Sequence, residues 1–96
     1  YLRMTLLFER PFWRAQLQDS YAMVEAFGGA CLYDESSRAP GASYGMLGWL
    51  LGGASALRLA SRSDEELLAR GLEELPFDRQ ETRALFVAGA VHRWTN

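Results

Sequence analysis

His92 is the only histidine and Cys31 the only cysteine of the chain. A metal site needs several imidazole, thiolate or carboxylate ligands at compatible spacing, so neither residue opens one. His92 is expected in a structural or surface role, and Cys31 as a small hydrophobe in an apolar strand. Ser36, Ser37 and Ser43 offer hydroxyls, but no GxSxG elbow surrounds them and no histidine is near in sequence, which speaks against a serine hydrolase. The pairs Gly28-Gly29 and Gly52-Gly53 complete neither GxGxxG nor a P-loop, so no nucleotide phosphate is held there. Two carboxylate pairs remain. Glu65-Glu66 is accounted for by helix capping, and Asp34-Glu35 falls in a polar loop that needs no catalytic explanation. All ten basic residues are arginine, so a Schiff-base or general-base lysine is excluded. A chain without these groups is expected to present a binding surface for something held elsewhere.

The elements that must shape such a surface come from 96 residues, enough for one small domain. The hydrophobic fraction of 49% can support a core, and the net charge of −2 carries no basic excess for nucleic acid or an anionic membrane. Absence of Lys and Ile beside abundant Ala, Leu, Gly and Arg has the bias of a GC-rich bacterial genome. One cysteine leaves no internal disulfide, which makes the cytoplasm the default compartment. The longest apolar run, Met46 to Leu51, is too short to span a bilayer, and no secretory signal opens the chain. Neither Tyr1 nor Asn96 has the look of a natural terminus, so a fragment is expected.

Tyr1 to Phe8 reads as a strand stopped by Pro11, with Phe12 and Trp13 packing down on the sheet. Gln16 to Ser20 is expected to loop out. Tyr21 to Tyr33 reads as a second strand with Gly28-Gly29 as a bulge, although a helix would also suit its composition. Asp34 to Ser43 has loop chemistry. Tyr44 to Leu51, bounded by glycines, reads as a buried strand. Beyond Gly53 the periodicity becomes helical. Ala54 to Ala60 forms a short helix, and Ser63 with Glu66 predicts a capping box opening a second. Asp64, Glu65 and Glu66 suit the positive end of that helix dipole. Leu68, Leu72 and Leu75 then make one apolar stripe before Pro76. Asp78 and Glu81 repeat the cap spacing for a third helix through Leu85, and Phe86 to Trp94 closes as a strand. The fold class is α+β: a small mixed or antiparallel sheet of about four strands with two or three helices packed on it.

Leu7-Phe8-Glu9-Arg10-Pro11-Phe12-Trp13-Arg14 resembles the strand and PFWR segment of flavin-containing amine oxidases of the monoamine oxidase type. The similarity continues through Ala26-Phe27-Gly28-Gly29, Tyr33-Asp34-Glu35-Ser36-Ser37 and Tyr44-Gly45-Met46-Leu47-Gly48-Trp49-Leu50-Leu51-Gly52-Gly53. It also takes in the acidic-capped helix from Ser63 to Leu75 and the final Val91-His92-Arg93-Trp94. These blocks keep family order from about Leu6 to Trp94.

By resemblance, residues 1–96 are one partial domain, a segment of the substrate-binding domain of an FAD-dependent amine oxidoreductase. In such an enzyme hydride passes from the carbon beside nitrogen to the flavin. The resemblance implies FAD in the parent protein and none on this chain alone, with the FAD-binding domain and an amine as its partners. Trp94 corresponds to a family tryptophan near the cofactor, and Leu6 and Phe8 are candidates for the cavity wall. Cys31 does not occupy the position of the cysteine that some members bond to flavin. An alternative is a free-standing α+β interaction or ligand-binding module that dimerises to cover apolar surface.

Overall fold

The computed structural model describes residues 2–13, 21–24, 30–35 and 44–93. Its elements are β1 (Leu2–Phe8), β2 (Tyr21–Val24), β3 (Ala30–Asp34), β4 (Gly45–Leu51), α1 (Gly53–Leu59), α2 (Asp64–Glu73), α3 (Arg79–Leu85) and β5 (Phe86–Arg93). The strands form one sheet in the order β2-β3-β4-β1-β5, and every pairing is antiparallel. This is the expected α+β class with one strand more than anticipated. The extra strand comes from Tyr21 to Tyr33. Instead of one bulged strand, this stretch supplies two paired strands, with Tyr21 opposite Tyr33 and Val24 opposite Ala30. Glycine pairs suit reversals as well as bulges, and sequence alone does not separate the two. Residues 25–29 lie outside the described residues, as do the segments 14–20 and 36–43 expected to loop.

Strand β1 is central and strictly alternating. Leu2, Met4, Leu6 and Phe8 are buried, while Arg3, Thr5 and Leu7 are intermediate. Side chains alternate across a strand, so the first set shares one face of the sheet with Leu47, Trp49 and Leu51 of β4 and Leu32 of β3. The helices pack on that face. Next to it, Phe8 meets Phe12, Trp13 and Phe86 edge-on at 5.3, 5.3 and 5.7 Å between ring centroids. Phe77 stacks on Trp13 at 6.4 Å. The PFW segment therefore packs down on the sheet as its aromatic composition suggests.

Helix α2 starts as its sequence dictates. The Ser63 hydroxyl accepts from the Glu66 amide at 3.2 Å, while the Glu66 carboxylate pairs with Arg62 one turn earlier. Asp78 caps α3 in the same way, its Oδ2 accepting from the Glu81 amide at 3.0 Å. The face that α2 buries is centred on Leu67 and Gly71, with Leu68 and Leu72 at its margins. Gly71 makes the close approach possible. A Cβ there would lie 3.0 Å from the Met4 sulfur and 3.4 Å from the Trp49 ring. Contact at that depth lets Trp49 Nε1–H donate to the Gly71 carbonyl at 2.9 Å. Carbonyls in the last turn of a helix run out of helical amide partners, so this bond satisfies a group that burial would otherwise penalise.

Arg93, at the end of β5, closes the other side of the helical layer. Its Nε donates to the Ala60 carbonyl at 3.2 Å, one Nη to the Arg62 carbonyl at 2.7 Å, and the other to Asp64 Oδ1 at 2.6 Å. One guanidinium thus ties the turn between α1 and α2 to the sheet. Among the described residues, no helix is long and apolar enough to cross a membrane.

Replacing Trp49 by Phe is expected to cost about 2–4 kcal/mol, from the lost bond to a buried carbonyl and the smaller ring. Urea denaturation checks this, with Leu57→Ala as control. Leu57 is 80% exposed, and its truncation is expected to stay within about 0.5 kcal/mol.

Candidate functional site

The helices cover one face of the sheet. The opposite face carries Arg3, Thr5 and Leu7 from β1, Cys31 and Tyr33 from β3, Met46, Gly48 and Leu50 from β4, and Ala88, Ala90 and His92 from β5. Its side chains are half-buried or exposed except at Gly48, and Leu50 keeps 37% of its surface accessible. Most are apolar, which makes a broad greasy surface with little to bind water. Arg3 alone among these positions carries a formal charge.

Two neighbours fix that charge. The Arg3 guanidinium forms an ion pair with the Glu35 carboxylate just past the end of β3, where the Glu35 side chain is only 9% exposed against 34% for Arg3. The Tyr33 ring lies beside the guanidinium, with its centroid 5.7 Å from Cζ, a cation–π distance. Tyr33 in turn rests on Gly48, where a Cβ would come within 2.5 Å of the ring. Glycine is required at this position because the aromatic ring occupies the space of a side chain. His92 stands directly opposite Arg3 on β5 and is exposed.

The expected site residues fall in different places. Leu6 and Phe8 lie on the helix-covered face with 0% exposure, packed into the core. Trp94 lies outside the described residues, directly after the end of β5. His92 is a surface residue, and Cys31 is a half-buried free thiol on the open face. Asp34 and Glu35 do not act as a pair. Asp34 belongs to β3, is buried and stands opposite Leu47 on the core face, whereas Glu35 reaches Arg3. Ser36, Ser37 and Ser43 lie outside the described residues. No group of three or more His, Cys, Asp or Glu that could hold a metal occurs among the described residues.

Sequence inspection missed the Arg3, Tyr33 and Glu35 cluster because its members come from two strands that are neighbours of β4 rather than of each other. The available signal was the arginine in an otherwise apolar alternating strand. A depression of about 90 Å³ between α1 and α2 is lined by Leu59, Arg62, Glu66, Leu67 and Arg70. Ligand pockets usually enclose about 300–1,000 Å³, so the helical side offers no comparable site there. Chemically, this face can exclude water and accept an apolar body beside the Arg3–Glu35 ion pair.

The sequence model of the family described as flavin containing amine oxidoreductase matches residues 2–96. No curated protein matches the chain, and no solved structure matches it. A match that spans all but the first residue settles kinship, and the chain belongs to the flavin-containing amine oxidoreductase family.

Proposed function

We propose that the open face of the sheet forms a wall of the substrate cavity in an FAD-dependent amine oxidoreductase, and that residues 1–96 act as a segment of its substrate-binding domain. The single observation that carries this is the asymmetry of the sheet. One face is sealed by helices, while among the described residues no helix covers the other, which is largely apolar and leaves Leu50 37% exposed. In a family that oxidises amines beside a flavin, such a face is suited to the flavin side. An apolar wall removes water from the reacting amine and favours its uncharged form, which has the lone pair available.

The residues present fit one part of FAD and not the other. An apolar face suits the ring system, but no glycine-rich phosphate loop occurs in the chain for the pyrophosphate. The FAD-binding domain of the parent therefore holds the cofactor, which supplies the redox chemistry when bound. Leu6 and Phe8 contribute from below, anchoring β1 so that Thr5 and Leu7 face the cavity. Trp94 follows Arg93, which is tied to the helical layer, and is assigned to the cofactor side by its family position. The working setting is a bacterial cytoplasmic enzyme, inactive when reduced to this segment.

Purified with added FAD, the 96-residue polypeptide is expected to show no flavin absorbance, whereas the parent flavoprotein is yellow and oxidises amines. Stoichiometric flavin on the segment alone would overturn the division of labour. In the parent, Leu50→Asp is expected to lower kcat/KM for amines about tenfold or more by placing a charge in the apolar wall. FAD content and thermal midpoint should hold, because Leu50 is already partly exposed in the segment. A wild-type kcat/KM would remove Leu50 from the cavity.

A second reading has one observation in its favour. Among the described residues β5 ends the sheet with no strand beyond it, and Val87 is 54% exposed. Unpaired edges recruit strands, so a free-standing chain would pair there with a second copy. Light scattering on the polypeptide separates the two, since a monomer at high concentration removes the dimer.

A further inference from the structure

Resting on the cavity-wall reading, we propose that Arg93 is a positioning residue for that wall. From the helix side of the sheet it fixes β5, whose other side supplies Ala88, Ala90 and His92 to the wall. This strand has little else to hold it. Unlike β1, β3 and β4, it buries no side chain fully. Among the described residues it pairs with β1 alone, at the end of the sheet. Its middle, Ala88-Gly89-Ala90, is exposed and brings little apolar area to the core. Phe86 secures one end through its ring contact with Phe8 at 5.7 Å, and Val91 packs partly against the core. The far end depends on Arg93.

The Arg93 guanidinium uses all three of its nitrogens. Nε donates to the Ala60 carbonyl, one Nη to the Arg62 carbonyl and the other to Asp64 Oδ1. These acceptors lie in the turn between α1 and α2 and at the first residue of α2. A planar fork bonded at three points cannot rotate or slide without breaking a bond, so it holds the strand end in one place. Adjacent residues of a strand point to opposite faces. Fixing Arg93 beneath the helices therefore sets where His92 stands opposite Arg3 on the wall. Without that anchor, a strand with so little buried area opens locally at low cost. A wall that opens admits water to the amine, which undoes the one service an apolar surface provides.

The test uses the parent flavoprotein with phenethylamine as the probe amine. Arg93→Met removes every donor and keeps an unbranched stem. Amide hydrogen exchange across residues 88–92 is expected to quicken about tenfold or more, while that of β4 holds. At unchanged FAD content, kcat/KM is expected to fall about tenfold, the scale of a small misplacement. Arg93→Lys keeps one donor group and is expected to recover part of both losses. Asp64→Asn leaves the two carbonyl bonds and is expected to stay within about threefold of wild type, since the exposed ion pair contributes little. Trp49→Phe separates positioning from stability. It loosens the helical layer without touching the wall, so its thermal midpoint is expected to fall with kcat/KM within about threefold. Equal activity losses in Trp49→Phe and Arg93→Met overturn the proposal. So does faster exchange in β5 with wild-type kcat/KM, which makes Arg93 a structural clasp only. If Arg93→Met does not fold, Arg93→Lys carries the same comparison. Leu50→Asp keeps the two readings apart. A loss there beside wild-type kcat/KM in the Arg93 variants defeats this proposal alone, whereas wild-type kcat/KM in Leu50→Asp, or a parent that binds no flavin, removes the wall as well.

Discussion

Strand β1 lies in the middle of the chemically important part of the sheet, paired to β4 on one side and β5 on the other. Its register divides the molecule in two. With Leu2 opposite Leu51 and Arg93, and Arg3 opposite Leu50 and His92, every odd position faces one way and every even position the other. A slip of one residue would bring Arg3, Thr5 and Leu7 under the helices and turn Met4, Leu6 and Phe8 outward. Burying an arginine without Glu35 while exposing that much apolar surface is prohibitive, so the register is specified strongly. The two faces can then follow different requirements, one for cohesion and the other for a ligand.

Cohesion depends on how closely the helices sit. Gly71 allows α2 down onto Met4 and Trp49, and the Trp49 indole completes the contact with a hydrogen bond to the helix end. Arg93 holds the next turn of the layer through two backbone carbonyls and Asp64. The charged part of that clasp is partly solvated and contributes little alone. The carbonyl bonds matter more, because they satisfy groups freed where α1 ends and α2 begins. Arg93 is therefore a link between the helical layer and the end of β5, the strand next to the open face at Arg3.

Local chemistry was readable and long-range pairing was not. Ser63 and Asp78 announced their helices because a cap is a contact three residues long, and both bonds form. The strand at β1 and the closing strand after Leu85 followed from composition. The second strand was misjudged, since its apolar content fits one bulged strand or two paired ones, and only the partner register distinguishes them. The α2 stripe was legible in part, since Leu75 is buried and Leu68 and Leu72 pack against the core. Leucines at 68, 72 and 75 drew attention, yet the helix turns Leu67 and Gly71 inward, because a glycine fits against the Trp49 ring where a leucine would not. The ion pair of Arg3 with Glu35 joins residues on strands that are not sheet neighbours, and no spacing rule connects them. The position of Trp94 lies beyond the described residues and stays with its family resemblance.

The same pair shows that charge on this face is a weak source of stability. Removing two charges from water costs several kcal/mol per ion, and the attraction between them offsets this only when the remaining donors and acceptors are satisfied. Here Arg3 Nε–H and Glu35 Oε1 are both buried without a hydrogen-bond partner among the described residues. A hydrophobic pair would hold β1 and β3 beside β4 at least as well. The sheet then acts as a scaffold whose helix side provides rigidity and whose other side carries the Arg3–Glu35 ion pair. That attraction is worth little in water, and it strengthens where the rest of the protein closes over the pair.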